Sequence, residues 1–204
     1  MAEDDGWEGL GALPPFTTEV IEERARRIIT RNASPDISFE QSINPYQGCE
    51  HGCAYCFARP THGYWGLSAG LDFETKLFAK TNAAELLAKE LAAPDYKAKI
   101  IAIGTNTDPY QPIERARRIM RRVLEVLEAH NHPVAVLTKS ALIARDLDIL
   151  SRMAEKGLAK AALSITTLDH KLSRAMEPRA AAPQRRLETV RLLSSAGIPT
   201  AVMV

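Results

Sequence analysis

The chain has 204 residues, of which 46% are hydrophobic and 25% charged, so it can bury one substantial core and is not disordered throughout. Its 26 basic and 25 acidic residues leave a net charge near +1, which excludes a global basic field for nucleic acid but not a local patch. No signal peptide follows the acidic start, and no stretch reaches the roughly 18 to 20 apolar residues that span a bilayer, so we expect a cytoplasmic protein without a membrane partner.

The first part of the chain is predicted to contain an arm, a helix and a strand. Residues 1–16 are rich in glycine and proline and lack periodicity, so we interpret them as a flexible arm. Thr17 or Thr18 is a candidate N-cap for a helix that runs to about Thr30. Residues 37–44 are predicted to form a short strand that leads into a cysteine-rich loop.

Beyond the cysteine loop, predicted strands and helices alternate. The strands are 99–104, 133–138, 161–166 and 198–204, and the helices are 83–91, 114–130, 143–156 and 183–196. This alternation predicts an α/β core domain at residues 17–204, with a parallel sheet and right-handed crossovers. The last strand is apolar and no helix follows to cover it, and natural domains avoid such bare edges. We therefore expect a fragment of a longer protein, truncated after the fifth strand.

All three cysteines lie between positions 49 and 56, in the spacing C-x3-C-x2-C. An odd and clustered set is not a disulfide framework, and thiols grouped in this way usually bind a metal. Cys49, Cys53 and Cys56 can ligate three irons of a 4Fe-4S cubane and leave the fourth iron open to a substrate. Gly48 and Gly52 would let the backbone wrap closely around so bulky a group.

The alternative metal centre is a structural zinc site with His51 or His62 as fourth ligand. Zinc ligands normally arrive as two pairs, and the second pair is missing here, so we favour the cluster. Tyr55, next to the third cysteine, is either a packing residue or a cover for an adenine ring.

The cysteine spacing, with an aromatic residue before the third cysteine, resembles that of the radical S-adenosylmethionine superfamily. The surrounding sequence is similar to the branch that contains spore photoproduct lyase, often called DNA-repair-photolyase-like. The likeness runs from about Thr18 to Val204. The segments that carry it are SINPYQGCEHGCAYCFARPTH (42–62), GTNTDPYQPIE (104–114), VLTKS (136–140), LSITTLD (163–169) and MEPRAAAPQRRLETV (176–190).

The resemblance implies a partial (β/α)6 barrel with the cluster loop after its first strand. It implies a 4Fe-4S cluster and S-adenosylmethionine, whose methionyl amine and carboxylate bind the open iron. In this family the reduced cluster cleaves S-adenosylmethionine to methionine and a 5′-deoxyadenosyl radical, which takes hydrogen from a substrate. An electron donor such as flavodoxin or ferredoxin is implied as a partner. The substrate stays unknown, and a nucleic acid is one candidate.

The resemblance also assigns candidate cofactor contacts to the ends of the predicted strands, where α/β sheets bind ligands. These residues are Tyr55, Thr105, Asn106, Thr107, Asp108, Lys139 and Ser164. Tyr55 matches the aromatic residue that flanks adenine. The run from Thr105 to Asp108 replaces the usual Gly-Gly-Glu that contacts the methionyl amine. Lys139 and Ser164 match positions that contact the methionyl carboxylate and the ribose.

Glu177 and Arg179 follow the fourth strand and belong either to the pocket or to a surface ion pair. No catalytic residue is assigned. Spore photoproduct lyase needs a further cysteine at the end of its second strand to return hydrogen to the repaired thymine. This chain has no cysteine there, so the same repair reaction is not expected.

Five arginines lie on one predicted helix: Arg115, Arg117, Arg118, Arg121 and Arg122. They form either a phosphate-binding patch or a solvated face flanked by acidic residues, and we favour the solvated face. For the whole chain, the leading hypothesis is a radical S-adenosylmethionine enzyme. The alternative is a non-catalytic module stabilised by a metal or cluster, or an inert fragment.

Overall fold

The computed structural model describes residues 5–7 and 17–204, which form an α/β structure. The strands are β1 (Glu19–Glu23), β2 (Ile29–Arg31), β3 (Gln41–Ile43), β4 (Tyr46–Gln47), β5 (Lys76–Lys80), β6 (Ile101–Ile103), β7 (Val134–Thr138), β8 (Ala159–Ser164) and β9 (Thr200–Met203). The α-helices are α1 (Asp72–Thr75), α2 (Ala83–Leu91), α3 (Glu114–Arg117), α4 (Ile119–Ala129), α5 (Leu147–Glu155), α6 (His170–Met176) and α7 (Pro183–Ser195). Two 3-10 helices cover Arg59–Trp65 and Ala141–Asp146.

The main sheet has the order β2-β3-β6-β7-β8-β9. Every neighbouring pair from β3 to β9 is parallel, and only β2 runs antiparallel, beside β3. Helices occupy the connections between successive parallel strands, as parallel pairing requires. The predicted α/β fold with a parallel sheet is therefore confirmed.

A second sheet supports the start of the cysteine loop. It has the order β1-β5-β4, with β1 parallel to β5 and β4 antiparallel to it. Because β4 ends at Gln47, the chain passes directly from this sheet into the loop that holds Cys49. The Cys49 backbone N–H then donates a hydrogen bond to the Phe73 carbonyl at 2.9 Å, which ties the loop to α1.

The helix predicted from Thr17 or Thr18 to about Thr30 is wrong. The structure has β1 and β2 there, with Glu19 to Glu23 in register with Lys76 to Lys80 of β5. The local composition, rich in Glu and Arg, favours a helix. Pairing with strands that come later in the chain overrides that preference, and sequence periodicity does not reveal such pairing.

The helix predicted over residues 114–130 is divided into α3 and α4. Arg118, at the junction, has a φ of 49°. The Glu114 carboxylate accepts hydrogen bonds from the backbone N–H groups of Ile119 and Met120, so it caps α4 from inside the preceding turn. The apolar face predicted for this helix is buried in the core, at Ile119, Met120, Val123, Leu124 and Leu127.

Two further helix predictions, and one helix that was not predicted, compare with the structure as follows. The helix predicted at 83–91 is confirmed as α2. The helix predicted at 143–156 begins instead with the 3-10 turn Ala141–Asp146, in which the Ser140 hydroxyl accepts from the Leu142 N–H at 3.2 Å. Helix α6 was not predicted, although Asp169 caps it by accepting from the Leu172 N–H at 2.8 Å.

Most of the predicted arm lies outside the described residues, but residues 5–7 are docked on the core. The Trp7 indole N–H donates to the Ala180 carbonyl at 2.8 Å, and the Asp5 carbonyl accepts from the Ala182 N–H at 2.8 Å. The Arg174 guanidinium lies 4.7 Å from the centre of the Trp7 ring. These contacts join residues 5–7 to the core, and the flexible arm over residues 1–16 stays a prediction. Within the described ranges, no helix combines the length and apolarity of a membrane span.

Candidate cluster and cofactor site

The cysteine loop is held in place by close packing at two glycines. Gly48 and Gly52 have φ values of 75° and 67°, a region that side chains other than glycine rarely adopt. A Cβ on Gly48 would lie 2.6 Å from a methyl carbon of Leu77 and 2.8 Å from the Phe73 carbonyl oxygen. A Cβ on Gly52 would clash with the Arg179 guanidinium and lie 2.6 Å from the Glu74 carboxylate. The loop therefore packs tightly against other parts of the protein at both glycines.

The structure brings the predicted metal ligands and cofactor contacts into one pocket. Its lining includes all three cysteines and all seven candidate cofactor contacts: Cys49, Cys53, Cys56, Tyr55, Thr105, Asn106, Thr107, Asp108, Lys139 and Ser164. The last six of these follow or end strands β6, β7 and β8, at the carboxyl edge of the parallel sheet. This edge is where parallel α/β sheets bind ligands. The assignment of each residue as a ligand stays a prediction.

The three thiols lie in surroundings that suit a metal cluster. Cys49 and Cys53 are buried and Cys56 is partly buried. Burial raises the pKa of Cys53 to about 12 and also raises the pKa of Cys56. Protonated thiols do not bind metal, so a positive centre must supply the stabilisation that these thiolates need. Soft thiolates gathered on one loop are the donor set of iron–sulfur clusters, and the residues present fit a 4Fe-4S cluster.

The candidate fourth ligands for zinc are both engaged with other groups. The Nε2 atom of His62 is 2.8 Å from the Lys76 carbonyl oxygen, and its ring packs edge-on against Phe73. The Nδ1 atom of His51 is 3.4 Å from an Asp108 carboxylate oxygen. Among the described residues, no three His, Cys, Asp or Glu side chains converge as ligands of a single ion. A cubane does not require such convergence, because each thiolate binds a different iron.

Asp108 connects the loop after β6 to the end of β7. Its carboxylate accepts from the Thr138 hydroxyl at 2.6 Å and from the Lys139 and Tyr110 N–H groups at 2.8 and 2.9 Å. Burial alone would raise the pKa of Asp108, but His51 and these hydrogen bonds hold it at about 2. The carboxylate is thus ionised and already hydrogen-bonded within the protein.

Thr105, Asn106 and Thr107, which share this loop with Asp108, differ in whether their side chains are hydrogen-bonded within the protein. The Thr107 hydroxyl donates to the Tyr46 carbonyl at 2.8 Å, so it is occupied within the protein. The side chains of Thr105 and Asn106 make no hydrogen bond within the described part of the chain, although both line the pocket. These two residues are therefore the ones in this loop with polar groups free for a ligand.

Glu177 belongs to the pocket region rather than to a surface ion pair. It is fully buried, and its carboxylate accepts hydrogen bonds from the hydroxyl groups of Tyr55 and Thr166. Arg179 contacts other groups, the Glu50 carbonyl and the Glu74 carboxylate. The surface-pair interpretation of Glu177 and Arg179 is therefore wrong. Its burial could not be read from the sequence, because its partners lie far away along the chain.

The arginine-rich face is paired with acidic side chains. Arg115 pairs with Asp5 at 2.9 Å, Arg121 pairs with Asp148 at 2.6 Å, and Arg117 pairs with Glu22. Exposed pairs of this kind contribute at most about 1 kcal/mol each. They agree with the favoured interpretation, a solvated helix face, because three of the five arginines are already paired with carboxylates.

Gly104 lines the pocket at the end of β6, in close contact with Leu137 of β7, and its substitution is expected to be costly. Its φ is 91°, and an added Cβ would lie 3.0 Å from the Leu137 carbonyl carbon and closer still to the oxygen. We expect Gly104→Ala to lower the free energy of unfolding by about 2 kcal/mol or more in urea titrations. The matched control is Gly157→Ala, where φ is 68° but no atom lies within 4 Å, so only about 1 kcal/mol is expected. Equal losses of unfolding free energy in the two variants would show that the structure around Leu137 shifts at little cost to accommodate the added methyl group.

Comparison with protein families places the chain in a known superfamily. Residues 43–204 match the family model described as Radical SAM superfamily. This match covers most of the chain, and the chain therefore belongs to the radical S-adenosylmethionine superfamily.

Related sequences are longer than this chain. An uncharacterised protein of Mycobacterium tuberculosis is 39% identical over 168 residues, which are 82% of this chain and 49% of that protein. An uncharacterised protein of Methanocaldococcus jannaschii is 26% identical over 185 residues, which are 88% of this chain and 64% of that protein. The chain thus spans about half the length of the mycobacterial relatives that it matches.

Solved structures of spore photoproduct lyase share the fold. A complex of that enzyme with dinucleoside spore photoproduct superimposes with a TM-score of 0.66 at 18% identity, over 91% of this chain and 50% of the lyase. A double mutant of the lyase with bound AdoMet and dinucleoside spore photoproduct gives a TM-score of 0.67, also at 18% identity and over the same shares of the two chains. At this identity the similarity establishes the fold.

Proposed function

We propose that this chain binds a 4Fe-4S cluster through Cys49, Cys53 and Cys56 and binds S-adenosylmethionine beside it, on a partial (β/α)6 barrel. The observation that carries the proposal is that the three thiols and the candidate cofactor contacts line one pocket. The lyase structure with bound AdoMet supports it, because the two proteins share a fold. When bound, the two cofactors supply reductive cleavage of a sulfur–carbon bond and removal of a hydrogen atom from a substrate.

The chain's own residues would hold and orient S-adenosylmethionine. The free polar groups of Thr105 and Asn106 are suited to its ammonium group, and the Lys139 ammonium is suited to its carboxylate. The Tyr55 ring, which is 48% exposed, offers a face for the adenine.

The electron donor and the substrate are further parts of the proposal. Flavodoxin or ferredoxin would supply the electron that the cluster needs. The related lyase structures hold a dinucleoside photoproduct, and a nucleic-acid substrate therefore stays a candidate. Repair of that photoproduct by the same mechanism is not proposed, because the chain has no cysteine besides the three candidate ligands.

Binding of S-adenosylmethionine to an open iron can be tested by electron paramagnetic resonance. We expect S-adenosylmethionine to shift the spectrum of the reduced cluster, because its amine and carboxylate would coordinate the iron that lacks a protein ligand. Adenosine is the control, since it lacks both groups and should leave the spectrum unchanged. A spectrum that stays the same at saturating S-adenosylmethionine would indicate a closed, structural cluster instead.

A further inference from the structure

Glu177 is a fully buried carboxylate beside the pocket, at the end of α6. Removing a charged group from water is costly, and a buried ion pair is often no more stabilising than apolar residues of the same shape. A buried carboxylate at the edge of a ligand pocket therefore needs an explanation beyond stability. The groups that surround it provide one.

The Glu177 carboxylate gathers partners from four separate parts of the chain. It accepts hydrogen bonds from the Tyr55 hydroxyl of the cysteine loop and, at 2.8 Å, from the Thr166 hydroxyl beyond β8. The Lys139 Nζ, beyond β7, lies 3.9 Å from one carboxylate oxygen. The other oxygen lies 2.6 Å from the guanidinium of Arg186, a residue that is itself 1% exposed.

These contacts reach three of the seven candidate contacts for S-adenosylmethionine. Tyr55 is hydrogen-bonded to Glu177 and Lys139 lies at ion-pair distance from it, with the Lys139 Nζ 5.8 Å from the centre of the Tyr55 ring. Ser164 is reached through Arg186, whose Nη1 donates to the Ser164 carbonyl at 2.9 Å. One carboxylate thus connects the groups that would contact the adenine, the methionyl carboxylate and the ribose.

The charge of Glu177 determines how these groups are oriented. Burial alone would raise its pKa, but Arg186 and the hydroxyl groups of Tyr55 and Thr166 lower it, so the group is ionised. An ionised carboxylate only accepts hydrogen bonds, so the Tyr55 hydroxyl must donate to it. This bond directs the ring edge toward Glu177 and leaves a face on the pocket. The longer distance to Lys139 leaves its ammonium free to bind a second carboxylate.

We propose that Glu177 is a positioning residue for S-adenosylmethionine, an inference that rests on the proposed function. It acts by fixing the Tyr55 ring and by attracting the Lys139 ammonium to the same wall of the pocket. A role limited to neutralising Arg186 would not require two further hydroxyl donors and a second cation from segments that line the pocket.

The test measures S-adenosylmethionine affinity and iron content together in Glu177→Gln. We expect the iron and sulfide content of the wild type but roughly tenfold weaker binding of S-adenosylmethionine, titrated by its effect on the spectrum of the reduced cluster. Glu177→Asp should recover part of the affinity. The matched control is Asp146→Asn, another fully buried carboxylate paired with arginine, but outside the pocket lining. It should lower the melting temperature and leave the affinity of the folded protein unchanged.

A double-mutant cycle shows whether Glu177 acts through Tyr55. We expect the losses of affinity from Glu177→Gln and Tyr55→Phe to be clearly less than additive in the double variant. If Glu177→Gln does not fold because Arg186 is left unpaired, Tyr55→Phe and Thr166→Val remove the same hydrogen bonds without affecting that pair. Wild-type affinity in a folded Glu177→Gln, or in both hydroxyl variants, would overturn the inference. A wild-type protein that binds no S-adenosylmethionine would overturn the proposed function itself.

Discussion

Replacing Cys49, Cys53 or Cys56 singly with alanine is expected to abolish binding of an intact 4Fe-4S cluster. The chain contains three cysteines, all of which line the pocket, so no spare thiol can substitute for a lost ligand. Iron and acid-labile sulfide should be measured per chain after anaerobic reconstitution. We expect the wild type to bind four of each, and each variant to bind a small fraction of that or a degraded cluster.

The control for this experiment is His62→Gln, which tests the zinc alternative. His62 contacts the Lys76 carbonyl and does not line the pocket, so the variant should keep its iron and sulfide if it folds. A single cysteine variant that retained a full complement of iron and sulfide would contradict the assignment of three ligands. Wild-type protein that bound zinc, and lost it in His62→Gln, would favour the structural zinc site.

The second large effect is expected from Arg145→Ala, which removes the cation of a buried polar network with Glu114 and Asp146. Arg145 pairs with Glu114 and Asp146, both at 2.7 Å, and both carboxylates are fully buried. Removing the guanidinium leaves two buried negative charges with little compensation, since Arg121 reaches only Asp146, at 3.4 Å. We expect a loss of about 3–5 kcal/mol in the free energy of unfolding, measured in urea.

The matched control for Arg145 is Arg152→Ala. Arg152 also pairs with two carboxylates, those of Glu128 at 2.6 Å and Asp148 at 3.7 Å, but its side chain is 51% exposed. Exposed pairs contribute little to stability, so this variant should be nearly as stable as the wild type. If the two variants lost similar amounts of unfolding free energy, burial would not determine how much the Arg145 network stabilises the protein.

Sequence periodicity predicted best those elements whose buried face is set by the pattern of apolar residues within the element. The apolar face of α4 and the apolar strands β6 and β7 are local patterns, and the structure has them where they were expected. The failures depend on partners that are distant in sequence. Strand β1 exists because β5 pairs with it, and the break at Arg118 exists because the Glu114 side chain turns back to cap α4.

The candidate site was also predictable only where its residues are close together in the sequence or lie in a recognised motif. The cysteine spacing is local, so it predicts Cys49, Cys53 and Cys56 as candidate ligands directly, and the resemblance added Lys139 and Ser164 as candidate contacts that line the same pocket. Glu177 could only be placed as one of two alternatives, because its contact with Tyr55 joins residues 122 positions apart. The sequence also gave no means of separating Asp108, whose carboxylate is occupied by protein donors, from Thr105 and Asn106, whose side chains are free.

Formation of 5′-deoxyadenosine tests the proposed chemistry most directly. The 204-residue chain should be reconstituted with iron and sulfide without oxygen, reduced, and incubated with S-adenosylmethionine. We predict 5′-deoxyadenosine and methionine in equal amounts, and neither product from Cys53→Ala treated in the same way. A wild-type protein that carries a complete, reduced cluster and forms no 5′-deoxyadenosine would contradict the assignment of radical S-adenosylmethionine chemistry to this chain.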